Sequence, residues 1–280
     1  MEKWNNPYID NLVGLPEEQK DLESEWREYV LQNIQEVGGR KIEDFEIEKN
    51  QQDIELINRV ESSVNDVLLK YGRNKIVSLP LDNIHLLKEG GTHEYVGHSA
   101  GGARSTIQQS IVVDRFKSDV QFSLVLFHEL LHVKSYTALQ IIPSTKEKPA
   151  EVIPYRTGIS VRSRDGKTEY LGNIEEAIVG YLTKEYYEGV ISQDPYLKDE
   201  LSKIDRGEIS INLSREKEQQ KLDSIIDQIL VNEKDGATTR ESILNTFIDA
   251  QLNGNLTTIG RLITRAYGAD ALKKIDVQHR

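Results

Sequence analysis

The chain has 280 residues, and its 46 acidic and 35 basic side chains give a formal net charge of −11 at pH 7. This acidic balance argues against a nucleic-acid partner, because neutralising a phosphate backbone requires a clustered excess of lysine and arginine. The sequence contains no cysteine, which excludes disulfides, thiolate nucleophiles and thiolate-bound metals and is typical of a cytoplasmic protein.

Neither the N-terminus nor any internal segment predicts contact with a membrane. Residues 1–16 carry Glu2, Lys3 and Asp10 and lack the continuous apolar core of a secretion signal. No segment approaches the roughly 18 uninterrupted apolar residues of a membrane span. We therefore expect a cytoplasmic protein with no membrane partner.

Residues 12–71 have a charged, helical pattern that is clearest over residues 17–34 and 51–71. In the second of these stretches the apolar side chains recur at spacings of three and four, as in an amphipathic helix. These side chains are Ile54, Ile57, Val60, Val64, Val67 and Leu68. Residues 1–72 are predicted to form a helical N-terminal segment that packs on the core, with its charged face in solvent.

The next part of the chain changes to short β-branched runs. Residues 75–87 and 108–113 predict strands on either side of a glycine-rich segment. Ser118 or Asp119 can cap the helix that follows, which runs to about residue 136.

A pair of strands and a second helix are predicted in the middle of the chain. Residues 151–171 read as two strands around a tight turn at Asp165 and Gly166, since Asp-Gly supplies the positive φ angles of such a turn. Residues 173–187 then place apolar side chains on one side, which predicts a helix.

The C-terminal part is predicted to be helical. Residues 193–212 are charged and turn-rich, and they are the expected internal boundary. Amphipathic helical patterns follow at residues 216–230, 239–253 and 258–275. Thr238 and Glu241 have the spacing of a capping box for the middle one. We therefore divide the chain into the N-terminal segment, a core over residues 73–192 and a helical subdomain over residues 193–280.

Residues 128–132 read His-Glu-Leu-Leu-His. In a helix, His128 and His132 lie one turn apart on one face, so both imidazoles can reach one cation, while Glu129 projects toward a bound water. Zinc held by imidazoles lowers the pKa of its water, and a neighbouring carboxylate can take the released proton. The motif therefore predicts zinc ligands at His128 and His132 and a general base at Glu129.

The surroundings of this motif are apolar on nearly every side of the helix. The flanking apolar residues are Phe122, Leu124, Val125, Leu126, Phe127, Leu130, Leu131 and Val133. A helix of this kind is buried, and buried imidazoles and carboxylates are costly unless they are paired or bind a metal. The alternative interpretation is a pair of core histidines bonded to the backbone, with Glu129 in a salt bridge.

A catalytic zinc site usually has three protein ligands, so a third must lie elsewhere. The metzincin pattern is excluded, because it requires Gly and His where this chain has Ser135 and Ala138. The next predicted helix offers Glu175 and Glu176. Glu151 is a competing ligand, but it falls in a predicted loop, and a helix holds a ligand more rigidly.

Over about residues 75–190 the sequence resembles the gluzincin metallopeptidases, the thermolysin-like class in which His-Glu-x-x-His is followed by a helix with Asn-Glu-Ala-Ile. Aligned on that pattern, Glu176 is the third ligand that the resemblance implies, and Glu175 occupies the position of the Asn. The short strand at residues 111–113, just before the metal-ligand helix, also resembles this class.

The chain departs from the family at Gly180, where an Asp commonly orients a ligand imidazole. Another acid would have to supply that contact, because outer partners fix the orientation of a ligating ring. In this class Tyr, His or Arg donates to the developing oxyanion, and the sequence offers Tyr155, Arg156 and Tyr181. Of these we assign the role to Tyr155.

Residues 97–101 read Gly-His-Ser-Ala-Gly, which matches the nucleophile elbow of serine hydrolases with Ser99 as nucleophile. The flanks are polar rather than a buried strand and a helix, so a glycine-rich turn is the favoured interpretation. His93 and His98 are expected to be solvent-exposed in this region rather than to bind a second metal, and His85 has no evident partner.

These observations predict an α+β, zincin-like protein. A small, mostly antiparallel sheet would pack on the helix that bears the two histidines and on a second ligand helix, with helical extensions at both ends. The predicted function is a zinc-dependent metallopeptidase that acts on peptides or proteins. A zincin-fold sensor or regulatory module with little turnover is the alternative, and a serine hydrolase that uses Ser99 is a minor one.

Overall fold

The structure of the protein is a computed structural model that describes residues 8–14, 36–37, 40–97, 101–142, 151–212, 215–233 and 237–279. Its helices are α1 (Gln51–Lys70), α2 (Gly91–Val96), α3 (Asp119–Lys134), α4 (Gly172–Gly189), α5 (Lys198–Asp205), α6 (Glu216–Asn232), α7 (Arg240–Asn253) and α8 (Leu256–Tyr267). Its strands are β1 (Asn11–Val13), β2 (Glu36–Val37), β3 (Arg40–Lys41), β4 (Ile84–Lys88), β5 (Gly102–Ser105), β6 (Ser110–Arg115), β7 (Thr137–Ile142), β8 (Glu151–Thr157), β9 (Ser160–Arg162), β10 (Thr168–Tyr170) and β11 (Val277–His279). The predicted α+β class is confirmed, whereas the zincin-like arrangement stays a prediction.

The strands form two sheets and a short β2–β3 ribbon in the described part of the chain. The larger sheet has the order β1-β7-β8-β9-β10-β11, and every pairing in it is antiparallel except β1 with β7. The smaller sheet has the order β4-β6-β5, in which β4 and β6 are parallel and β5 is antiparallel to β6. The expectation of one small sheet is thus corrected to two, and β5 and β6 of the smaller one pack against α3.

Helix α3 begins at a well-defined cap and runs through the interior. The Ser118 hydroxyl accepts from the backbone N–H of Gln121, as an N-cap does. The Glu200 carboxylate also accepts from the backbone N–H groups of Asp119 and Val120, at 3.0 and 3.1 Å. A carboxylate is favourable there because the N-terminal end of a helix carries partial positive charge. Both contacts fix where the helix that bears the two histidines starts.

Helix α4 lies against α3 and is held at its N-terminus by the far end of the chain. The carboxylate of Asp276 accepts from the backbone N–H groups of Asn173 and Ile174, at 2.7 and 3.2 Å. The rings of Phe127 in α3 and Tyr186 in α4 stack with their centroids 4.0 Å apart. An aromatic contact therefore joins the two helices, and a residue near the end of the chain caps the N-terminus of α4.

The main hydrophobic core continues through all three predicted parts of the chain. It joins Val60 of α1 and Phe127 of α3 to Ile178 of α4, and it extends to Ile226 of α6 and Ile263 of α8. The C-terminal helices are thus packed on the ligand helices, with α6 lying along α4. The division at residues 72 and 192 stays a prediction.

Several expected elements differ in the structure. Leu12 lies in strand β1 instead of a helix, because the short strand pairs with β7, more than 120 residues away. Of residues 75–87, the strand covers only the C-terminal part. The capping box of α7 is formed by Thr239 and Ser242, one residue after the predicted pair. The last predicted helix ends at Tyr267, and β11 follows it.

Other expectations are confirmed or fall outside the described residues. The predicted hairpin is present, since Arg162 pairs with Glu169 and Val161 with Tyr170, but of the Asp-Gly pair only Gly166 has a positive φ, of 70°. The turn-rich segment at residues 193–212 contains the unpredicted helix α5. Residues 17–34 lie outside the described part of the chain. No described helix is both long enough and apolar enough to cross a membrane.

Candidate metal centre

Three side chains from the two central helices meet at one point. Helix α3 places His128 and His132 on one face, and α4 brings Glu176 opposite them. The Nε2 atoms of the two histidines are 3.1 Å apart, and each lies 3.4 Å from an oxygen of Glu176. One ligand atom from each residue lies within 4.8 Å of the others. The three predicted ligands are thus brought together.

The chemistry of this cluster fits a metal ion. Two imidazole nitrogens and a carboxylate oxygen are a donor set that divalent zinc accepts, with a further position left open. Glu176 Oε2 is buried and, among the described residues, makes no hydrogen bond, although Arg215 Nε lies 3.0 Å from it. A buried carboxylate is costly unless positive groups surround it, and both imidazoles also face this one at 3.4 Å. The cluster formed by His128, His132 and Glu176 could therefore hold a cation.

Glu175 supports the ring of His132 from the side away from the other two residues of the cluster. Its Oε1 lies 2.6 Å from His132 Nδ1. The guanidinium of Arg104 in β5 donates to both oxygens of the same carboxylate, at 3.1 and 3.2 Å. The Gln251 amide in α7 adds a longer contact of 3.3 Å. This network holds Nδ1 of His132, so that its Nε2 faces the other two ligands.

These contacts shift the pKa values of the buried groups. Burial and the positive charge of Arg104 would lower the pKa of His132, but Glu175 and Glu176 raise it to about 9. Burial would raise the pKa of Glu176, but the two imidazoles hold it well below its ordinary value. Burial opposes the ionised form of Glu175 as well, yet Arg104 and His132 keep its pKa lowered. Without a metal, the cluster therefore favours a protonated His132 beside two carboxylates.

His128 is held less firmly than His132. Its Nδ1 lies 3.5 Å from the hydroxyl of Thr183, and that hydroxyl donates to the carbonyl of Val179 at 2.8 Å. The hydroxyl oxygen can therefore accept a hydrogen bond from the Nδ1–H group of His128. No carboxylate contacts this nitrogen among the described residues, so the outer support of the two imidazoles is unequal.

A cleft of about 650 Å³ reaches the cluster at His128, which is one of the residues that line it. Glu129 lines it and is 8% exposed, so the carboxylate is reachable but largely screened from bulk water. The Glu129 side chain packs against Gly102 of β5, where a Cβ atom would come within 2.9 Å of its Cγ. The absence of a side chain at Gly102 therefore makes room for the predicted base.

On the other side of the cleft, Arg215 packs over Gly180. The Arg215 Nε lies 3.0 Å from Glu176 Oε2. A Cβ atom at Gly180 would come within 3.0 Å of Arg215 Cβ and 3.1 Å of its Cγ. The position where the resembled family has an Asp is thus filled by a cation from the segment before α6.

The predicted oxyanion donors lie elsewhere. Tyr155 is half-buried in β8 and does not line the cleft, so its assignment is not supported by its position. Arg156 is buried and donates to the carbonyls of Gly158, Ala250 and Gly254, which is a structural role. Tyr181 is 41% exposed on α4.

Neither of the other histidines whose side chains are described, His85 and His93, joins the cluster. His93 is exposed, as predicted, and lines the cleft from α2. His85 has a partner that the sequence did not reveal, because its Nδ1 lies 2.9 Å from Glu46 Oε1. Ser99 and His98 lie outside the described residues. Glu151 begins strand β8 instead of lying in a loop, and its side chain is not described.

Arg104, Arg215 and Gln251 were missed by the sequence interpretation. Each reaches the cluster from a different segment, and none belongs to a motif with a fixed spacing. The glycines that admit close contacts, Gly102 and Gly180, were the only local signal, and a glycine alone does not say which side chain will fill the space.

No family model, curated protein or solved structure gives a significant match to this chain. The chemistry of the cluster and the cleft therefore carries the functional conclusion.

Proposed function

We propose that this protein is a zinc-dependent metallopeptidase in which His128, His132 and Glu176 bind the metal and Glu129 is the general base. The observation that carries the proposal is the convergence of the three ligand atoms within 4.8 Å at the edge of a cleft that Glu129 also lines. A zincin-like fold belongs to the same proposal, supported by the packing of α3 against α4 and the smaller sheet.

The proposed chemistry divides the work between the metal and the chain. When bound, zinc would polarise the scissile carbonyl and acidify the attacking water. Glu129 accepts one proton from that water while the water oxygen forms a bond to the carbonyl carbon. Glu129 then delivers the same proton to the amide nitrogen as the C–N bond breaks, which releases a carboxylic acid and an amine.

The outer residues have a separate task. Arg104 keeps the Glu175 carboxylate in place, and Glu175 fixes the ring of His132. A preorganised ligand set binds metal more tightly, because less ordering remains to be done when the ion arrives. The size of the cleft, about 650 Å³, admits several residues of an extended peptide.

The test is metal content combined with two matched substitutions. Purified protein should hold close to one zinc per chain by elemental analysis and should cleave a panel of unfolded proteins. Glu129→Gln should retain the zinc and lose hydrolysis by at least about 10²-fold, as expected for removal of a general base. Glu188→Gln, on the exposed face of α4, is the control and should change neither.

Two results would contradict the proposal. One is a protein that cannot be loaded with any divalent metal. The other is a Glu129→Gln variant that cleaves as fast as the parent. Full zinc occupancy without cleavage would instead favour the regulatory binding module, and labelling by a phosphonate that Ser99→Ala abolishes would favour the serine hydrolase.

A further inference from the structure

A peptidase of the proposed kind needs a donor for the negative charge that develops on the carbonyl oxygen, and Tyr155 does not line the cleft. We infer that Arg215 is this donor, a catalytic residue whose guanidinium binds the oxyanion formed from the scissile carbonyl. The inference rests on the proposed function, and it assigns a residue outside the segment that resembles the metallopeptidases.

The position of Arg215 relative to the metal ligands is the first reason. Its Nε lies 3.0 Å from Glu176 Oε2, and that oxygen is 3.4 Å from His128 Nε2. The guanidinium is therefore next to the point where the metal and the reacting carbonyl would meet. Nε is the Arg215 atom nearest to Glu176, and among the described residues no hydrogen bond joins this guanidinium to Oε2. A planar guanidinium can hold a carboxylate through one group and bind a second oxygen through another.

The second reason is the way the chain accommodates this side chain. Gly180 of α4 has no side chain, and Arg215 Cβ and Cγ pack beside it. A Cβ atom at Gly180 would lie only 3.0 and 3.1 Å from these two atoms. Arg215 is also the N-cap residue of α6, since its carbonyl accepts from the Gln219 N–H at 2.8 Å. Three residues earlier in the chain, the Asn212 N–H donates to Gln121 Oε1 at 2.7 Å. The backbone of Arg215 itself is held at the start of α6.

The third reason is the arrangement of charge across the cleft. Glu129 packs against Gly102 of β5, whereas Arg215 packs against Gly180 of α4. The proton acceptor and the cation consequently approach the ligand cluster from two different elements. His93, another donor in the cleft, is on α2 and makes no described contact with the cluster. Arg215 is 42% exposed as a side chain, so a substrate can reach it.

A preorganised donor to an oxyanion is worth more in the transition state than in the ground state. Removing it should therefore lower kcat and leave KM nearly unchanged. It should also weaken binding of a stable tetrahedral anion in the same proportion, because such an anion resembles the transition state.

The experiment uses the zinc-loaded full chain and the substitutions Arg215→Met and Arg215→Lys. Arg206→Met is the matched control, because Arg206 is an exposed arginine nearby whose partner is Glu208. Three quantities are measured: bound zinc, kcat and KM on a peptide that the parent cleaves, and the affinity for a phosphinic peptide by calorimetry. We expect Arg215→Met to keep its zinc and to lose about 10²–10³-fold in both kcat and phosphinate affinity. Arg215→Lys should recover part of each, and Arg206→Met should match the parent.

Several outcomes would overturn the inference. Equal phosphinate affinity in the parent and Arg215→Met removes the oxyanion role, whether or not the protein cleaves peptides. A parent that binds zinc but no phosphinate overturns it as well. Loss of zinc from Arg215→Met assigns the residue to support of Glu176 instead. A higher KM for acidic peptides alone assigns it to recognition of a substrate carboxylate. Failure of the proposed function is distinguishable from these outcomes, because it would appear as a Glu129→Gln variant that cleaves as fast as the parent.

Discussion

Glu175 and His132 form the shortest contact around the ligand cluster, with 2.6 Å between Oε1 and Nδ1. The two consecutive acids of α4 thus have different tasks. Glu176 faces both histidines, whereas Glu175 holds one of them from behind and is itself held by Arg104. One of two adjacent acids therefore faces the cluster while the other supports a single imidazole, and no carboxylate among the described residues supports His128 in the same way.

Replacing Glu175 should weaken metal binding without removing a ligand. Glu175→Gln loses the charge that fixes the His132 ring and leaves Arg104 buried without its partner. We expect zinc affinity to fall by about 10–100-fold, the usual cost of losing such a partner. Competition with a chromophoric chelator measures this, with Glu188→Gln as the control on the exposed face of α4. Unchanged affinity would show that the ring is held by packing alone.

Zinc binding should depend on pH through His132. In the metal-free protein the pKa of this histidine is raised from 6.5 to about 9 by Glu175 and Glu176, which outweigh burial and Arg104. Below a pH of about 9, zinc must displace a proton from His132. The apparent zinc affinity should therefore rise by about tenfold per pH unit up to the pKa of His132 in the folded protein. Glu176 adds nothing in this range, because its own pKa is well below the ordinary value.

The raised pKa of His132 also affects the stability of the metal-free protein, which should fall with rising pH while zinc affinity rises. A raised folded pKa stabilises the metal-free protein most below pH 6.5, and this contribution disappears as the pH rises through about 9. Urea unfolding of the chelator-treated protein across this range measures it. His132→Gln, which cannot titrate, should remove the dependence, and a slope that persists in this variant would point to another group.

Gly102, which packs against Glu129, should not tolerate the methyl group of an alanine. In Gly102→Ala the new Cβ would lie 2.8 Å from Val125 Cγ1 and 2.9 Å from Glu129 Cγ. Glu129 must therefore shift, and we expect kcat to fall with zinc content unchanged. Gly189→Ala at the end of α4 is the control, since a Cβ there meets no atom within 4 Å. Equal kcat in the parent and Gly102→Ala would mean that the carboxylate position is not critical.

The C-terminal helices should contribute to the stability of the site. Gln251 of α7 is fully buried, donates to Ser135 Oγ and Glu175, and accepts from the Ile159 N–H at 3.1 Å. Gln251→Leu leaves these groups without that partner, and we expect the free energy of unfolding to fall by about 1–3 kcal/mol. Urea denaturation tests this against Gln228→Leu, an exposed position on α6. If both substitutions change the free energy of unfolding equally, the C-terminal helices do not stabilise the site through Gln251.

The sequence could predict the elements whose signals are local. The spacing of His128 and His132 is set by the helical repeat, and the apolar residues around them require burial, so α3 and its two candidate ligands could be predicted without any tertiary information. The start of the helix at Ser118 and the hairpin at Asp165 and Gly166 follow from capping and turn chemistry that involve only a few neighbouring residues.

Elements stabilised by distant partners were not predictable in this way. Strand β1 has only three residues, and it is a strand because β7 supplies its hydrogen bonds. Its own pattern therefore carried too little information, and the charged residues around it suggested a helix. The last helix was predicted too long for a different and local reason, since Gly268, with a φ of 86°, caps the helix directly after Tyr267.

The sequence by itself determined which residues could bind a metal and which acid could act as a base, because that chemistry depends on residue type and on a one-turn spacing. Only the tertiary structure decided how those residues are supported. Arg104 and Gln251 are separated from Glu175 by 71 and 76 residues, and Arg215 meets Glu176 where Gly180 leaves space. Contacts of this kind arise from packing between elements, which no local periodicity encodes.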